Sequence, residues 1–89
     1  MSSLPLLEEE VGRELTADDL KPRTVVWVLA PGKIDYYSAW VIEIDPAYVL
    51  FFLGQMRLHV ICRRRPGDAS IIVDDQDRVV RVFEYLGEV

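Results

Sequence analysis

His59 and Cys62 are the only histidine and the only cysteine of the chain, and they stand three residues apart. A cysteine nucleophile needs a neighbouring base, which must itself be oriented by a third group. Here Met56, Leu58, Val60 and Cys62 alternate with Arg57, His59, Ile61 and Arg63, which puts the two residues on opposite faces of one strand. They are not expected to meet. Structural zinc takes four ligands, so the pair cannot supply a metal site either. Asp74, Asp75 and Asp77 open like a calcium loop, but the glycine and the later glutamate of such a loop are missing. Aspartates at this spacing in a hairpin accept backbone hydrogen bonds and form the turn. The expectation is no catalytic residue, no metal and no cofactor.

Arg57, Arg63, Arg64 and Arg65 form the one basic cluster. Guanidinium forks hold oxyanions bidentately, so these four are the candidates for an anionic partner. The favoured expectation is internal pairing, with the acidic N-terminal segment or the Asp74 to Asp77 hairpin as counter-charge. Seven aromatics, Trp27, Tyr36, Tyr37, Trp40, Tyr48, Phe51 and Phe52, fall near the first loop and the central strands. All except Tyr36 and Tyr37, at a loop edge, are expected to pack in the core.

The charge of the chain has a location. Its net charge is −5, and Glu8, Glu9, Glu10, Glu14, Asp18 and Asp19 against Arg13 account for all of it, because the body from Leu20 onward is balanced. A general nucleic-acid binder shows the opposite, a basic surplus that neutralises phosphates. Eighty-nine residues, 51% hydrophobic and 28% charged, fit one globular domain, residues 1–89, with an acidic segment at 1–19 and a folded body at 20–89. No apolar run reaches the length of a membrane span, the start does not read as a signal peptide, and the lone cysteine has no internal disulfide partner. The cytoplasm is the expected setting, with no membrane contact.

The elements follow from the hydrophobic pattern. Trp40-Val-Ile-Glu-Ile alternates and stops at Asp45-Pro46, where proline suits the first central position of a turn. Residues 48–53, Tyr-Val-Leu-Phe-Phe-Leu, are apolar throughout and end at Gly54-Gln55, a pair that suits a two-residue type II′ turn. A third strand runs from Met56 to Arg63. The middle strand of this meander poses the main problem, because one of its two apolar rows needs a cover. Tyr48, Val49, Phe51 and Leu53 are therefore the candidate contact residues there. Leu4, Leu7, Val11 and Leu15 recur at helical spacing, so residues 1–15 are expected to form an amphipathic helix whose stripe, notably Leu4, Leu7 and Val11, docks on something. Thr16-Ala-Asp-Asp19 reads as a capping box starting one short turn. Residues 24–30 form a strand with Val26 and Val28 on one face and Val25, Trp27 and Leu29 on the other. Residues 70–73 and 78–85 supply the last two strands.

Leu20-Lys-Pro-Arg-Thr-Val-Val-Trp27, followed by a loop, a three-stranded meander and a late hairpin, resembles the SH3-like and Tudor-like small barrels. In those a Leu-Lys-Pro-Gly turn often leads into the first strand, and here Arg23 stands in the glycine's place. The resemblance covers roughly residues 20–86 by strand order. It implies an all-β fold, a five- to six-stranded antiparallel barrel or bent sheet with a short N-terminal helical segment. The expected function is non-catalytic: a protein-binding or self-assembly module whose partner is another protein or a second copy of the chain. The alternatives are a nucleic-acid module using the arginines, which the charge balance disfavours, and a small acidic inhibitor of a basic partner, of viral or mobile-element type.

Overall fold

Short runs of β-branched and aromatic residues, broken by Pro-Gly and Asp-Pro pairs, make this chain a sequence of strands and turns. The computed structural model describes residues 10–87. Seven strands follow one another: β1 (Val11–Leu15), β2 (Val25–Leu29), β3 (Tyr36–Ile44), β4 (Tyr48–Leu53), β5 (Leu58–Arg65), β6 (Asp68–Val73) and β7 (Arg81–Tyr85), with a 3-10 turn at Ala17–Asp19. They form one antiparallel sheet in the order β1-β7-β2-β3-β4-β5-β6.

Three expectations about the fold are corrected. The strand count is seven, and the sheet is bent but not a closed barrel. Its far end meets the approach to β7 through one isolated bridge, Val73 with Val79, and one hydrogen bond from the Val80 amide to the Ile72 carbonyl at 2.9 Å. Residues 11–15 are a strand, not the end of a helix, since the free edge of β7 satisfies their backbone groups. Leu4 and Leu7 of the expected stripe lie outside the described residues. Gly12 is required by close approach: a Cβ there would come within 2.7 Å of the Glu84 Cβ. The β4–β5 connection is a four-residue turn, residues 54–57, rather than Gly54-Gln55 alone. Leu53 pairs with Leu58, and Arg57 closes the turn at φ 52°.

Other local readings hold. Asp45 caps its own turn, its carboxylate accepting the Ala47 amide at 2.8 Å. Asp19 accepts the Thr16 amide at 2.9 Å and starts the 3-10 turn. Arg23 takes the left-handed conformation, φ 67°, a region that favours glycine.

The core lies on the inner face. Val26 and Val28 of β2, Ala39 and Val41 of β3, Val49 and Phe51 of β4, Cys62 of β5, Ile72 of β6 and Val82 of β7 fill it, and Ala17 and Leu20 join them from the 3-10 turn. The choice of face on β4 is thereby decided: Val49 and Phe51 are 0% and 1% exposed, which leaves Tyr48, Leu50 and Phe52 pointing outward. On β3 an extra residue near Ile42 shifts the register between Val41 and Glu43. This bulge leaves Trp40 and Ile42 outward but turns Ile44 toward the core.

Candidate functional site

The outer face of β3, β4 and β5 carries apolar side chains that nothing in the described chain covers. Trp40 pairs with Phe52, and Phe52 with His59, in one cross-strand row. Leu50 pairs with Ile61 on β5 and Glu43 on β3 in the next row, with Ile42 as the extra residue of the bulge before Glu43. Trp40 and Ile42 are each 44% exposed and Ile61 65%, whereas Leu50 and Phe52 are half-buried between their neighbours. The His59 ring rests on Phe52 with centroids 4.8 Å apart. At the third row Tyr48 pairs with Arg63 across β4 and β5, and its hydroxyl reaches diagonally to donate to the Glu43 carboxylate of the second row at 3.1 Å. That hydrogen bond is the first cause holding the Tyr48 phenol above its usual range.

The candidate contact residues therefore separate. Tyr48 belongs to this face. Val49 and Phe51 do not, because the alternation that exposes Leu50 and Phe52 drives them into the core. Leu53 packs on the core from the end of β4, and Val11 is half-buried on β1. Trp40 and Phe52, assigned to the core from sequence, are outward, and Ile42, Leu50 and Ile61 join them. One signal for this was present in the sequence: Ile61 is the single apolar residue on the Arg57, His59, Arg63 side of its strand. Tyr36 meets Phe83 edge-on at 5.5 Å, and Tyr37, the next residue along an extended strand, points to the other face. The two tyrosines do not share a cage.

The arginines are largely engaged by the chain itself. Only 11% of the Arg64 side chain is exposed. Its Nε donates to the Ala69 carbonyl at 2.8 Å, one terminal nitrogen to the Asp45 carbonyl at 3.0 Å, and the other to the Asp18 carboxylate at 2.8 Å. It ties the 3-10 turn, the β3–β4 turn and β6 together and is not available to an anionic ligand. Arg63 pairs loosely with Asp77 at 3.5 Å. Arg65 adds its charge to the Ser70 hydrogen bonds, which come first in holding Asp68 below the usual carboxylate range. Arg57 has no ion pair among the described residues.

The acidic groups are engaged likewise. Glu14 accepts two bonds from Arg81, at 2.8 and 3.0 Å, and these hold its carboxyl low. Asp74 accepts the Gln76 and Arg78 amides and the Arg78 guanidinium; the Arg78 amide is the largest cause of its lowered pKa. It is a turn former. Cys62 is buried in the core, and burial pushes its thiol up to about 11, so it is protonated at neutral pH. His59 is exposed on the other face. A shallow groove of about 460 Å³ runs between the 3-10 turn and the ends of β1, β2 and β7, lined by Arg13, Asp19, Lys21 and Glu84 among others. Among the described residues no cluster of His, Cys, Asp and Glu could hold a metal ion, and no helix is long and apolar enough to cross a membrane. Compared with known proteins, the chain matches no family, no curated protein and no solved structure.

Proposed function

We propose that this domain is a non-catalytic protein-binding module that engages its partner through the outer face of β3, β4 and β5. The observation that supports it is the contiguous outward set Trp40, Ile42, Leu50, Phe52 and Ile61 on three neighbouring strands, with Trp40, Ile42 and Ile61 exposed and Leu50 and Phe52 half-buried between them. Exposed apolar side chains scattered singly need no explanation, but a connected patch with a polar rim marks an interaction surface. Trp, here Trp40 on β3, is among the residue types that most often dominate binding energy at such a patch. The rim is supplied by Glu43, Tyr48, His59 and Arg63. The nucleic-acid and acidic-inhibitor alternatives have less to work with, because Arg64 is committed internally and Glu14, Asp18 and Asp19 are near arginines of the same chain.

Site-specific photo-crosslinking tests the proposal. A benzophenone side chain at position 61, in cells that express the protein, should give discrete protein adducts that vanish when Trp40 is changed to Glu. The same probe at Asp75, on the far turn, should give none. Absence of adducts at 61, or equal adducts at both positions, would rule the surface out.

A further inference from the structure

We infer that β1 is a latch on this face: it releases from β7 as a unit while the rest of the sheet stays folded, and its release joins the covered aromatics of β2 and β7 to the exposed patch of β3–β5. The inference rests on the reading of β3–β5 as an interaction surface and adds how that surface is restrained and enlarged.

Beneath β1 lies an aromatic cluster separate from the inner core. Trp27 and Phe83 are 5% and 8% exposed, yet neither belongs to the set of side chains packed on the inner face. They lie on the outer face, with Trp27 stacked on Tyr85 and Phe83 edge-on to Tyr36. This cluster borders the exposed patch. Val25 pairs with Trp40, and Trp27 with Ser38, across β2 and β3. Tyr85 stands one step beyond the Val26–Glu84 pair, at the level of Val25, and is itself paired with Val11. One outward row therefore runs from Val11 of β1 through Tyr85, Val25, Trp40 and Phe52 to His59.

Little holds β1 in place. It is an edge strand that pairs with β7 alone among the described strands, and its register is broken between Val11 and Glu14. Of its residues only Leu15 packs against the inner core. The Glu10 carbonyl just before it accepts the Leu86 amide at 2.9 Å and the Trp27 indole at 2.8 Å. Glu14 pairs with Arg81, both side chains being about half exposed, and Arg13 lies 3.7 Å from Asp19. Exposed ion pairs of this kind contribute little. The chain is pinned firmly only after β1, where Ala17 and Leu20 are buried and Arg64 holds Asp18 at 2.8 Å. Release can therefore stop at Thr16 and leave the inner core intact, the behaviour of a segment with few buried contacts.

Release changes the area on offer. Three strands about 4.8 Å apart make a narrow patch beside a standard interface of about 800 Å² per partner, and β2 and β7 bring it closer to that size. A partner that uses both halves binds only the released state, so its apparent affinity scales with the fraction released.

Residue-resolved hydrogen exchange of the full chain tests the latch. The amides bonded between β1 and β7, the Leu86 amide and the Trp27 indole N–H should share one protection factor, at least about tenfold below that of the amides between β2 and β3. Glu14→Gln should lower that shared factor by about threefold and leave the β2–β3 amides unchanged. Exchange of β1 only together with β2–β3, or an effect of Glu14→Gln spread over both, would overturn the inference. With the benzophenone at position 61, Glu14→Gln should also raise the yield of the same protein adduct, and a benzophenone in place of Tyr85 should capture that partner. Unchanged yield at 61 with no capture at 85 would overturn the link between release and binding. Adducts at 61 from a protein whose β1 exchanges only with the whole sheet would overturn the latch alone and leave the interaction surface standing. No adduct at 61 in either protein would remove the surface and, with it, the role of the release.

Discussion

The two tryptophans sit on adjacent strands and on the same outer face, yet one is 5% exposed and the other 44%. Trp27, on β2, is covered by its own chain. Its indole N–H donates to the Glu10 carbonyl at 2.8 Å, its ring stacks on Tyr85 at 4.6 Å, and Phe83 is its register partner on β7. Arg81 lies over the Phe83 ring at 5.0 Å and is held by Glu14. Trp40, on β3, has half-buried Phe52 as its neighbour on β4 and nothing above it in the described chain. The N-terminal strand, added beyond β7, is what turns one half of an apolar outer face into a second small core. The half it does not reach has no such cover in the described chain.

If that contrast is right, it should be large in stability. Trp27→Ala should cost about 3–5 kcal/mol, the range for removing a buried aromatic, and Trp40→Ala should change the urea midpoint of the monomer by no more than about 0.5 kcal/mol equivalent. Similar losses at both positions would erase the distinction between a covered and an uncovered half. Arg64→Ala comes next. It orphans two carbonyls and a carboxylate and should cost about 2 kcal/mol. Arg64→Lys should recover little, since an ammonium cannot point in the three directions the guanidinium fork serves. Full recovery by lysine would mean that charge, not geometry, is what holds the 3-10 turn against β6.

Acid should loosen the covered half as well as the turns. Glu14, Asp19, Asp68 and Asp74 all have carboxyls held low by hydrogen bonds in the fold. A depressed folded-state pKa stabilises above the unfolded value and is lost as pH falls through the folded one. The melting temperature should therefore drop as pH is lowered below about 4, and Glu14→Gln should flatten the part that comes from the strap over Phe83. A flat profile between pH 5 and 3 would contradict the hydrogen bonds assigned to these groups. The smallest effect is spectroscopic. Iodide should quench Trp40 and spare Trp27. Protection of Trp40 would mean that its own chain covers it.

Much of this could be read without coordinates, because strand period and turn chemistry are local. The alternation of residues 24–30, the Asp45-Pro46 stop, the apolar run of residues 48–53 and the capping box at Thr16 each depend on neighbours within a few positions. An all-β chain followed from them, and of the arginine cluster Arg64 is the one firmly paired within the chain. Period, however, fixes only the relative phase of a strand. That Val49 and Phe51 face the core, rather than Leu50 and Phe52, depends on what β3 and β5 bring alongside. The bulge at Ile42 adds one residue to β3, and no alternation pattern reports it.

The N-terminal segment shows the same boundary from the other side. Val11 and Leu15, four apart, suit one face of a helix, and a short isolated segment has no way to choose otherwise. The open edge of β7 made the choice, by offering backbone partners that a helix on the surface would have left unused. Local sequence determined where strands start, stop and alternate. Tertiary contact decided which face is inside, which segment becomes the seventh strand, and which tryptophan is left uncovered, because each is settled by groups distant in the chain that meet only once the sheet has formed.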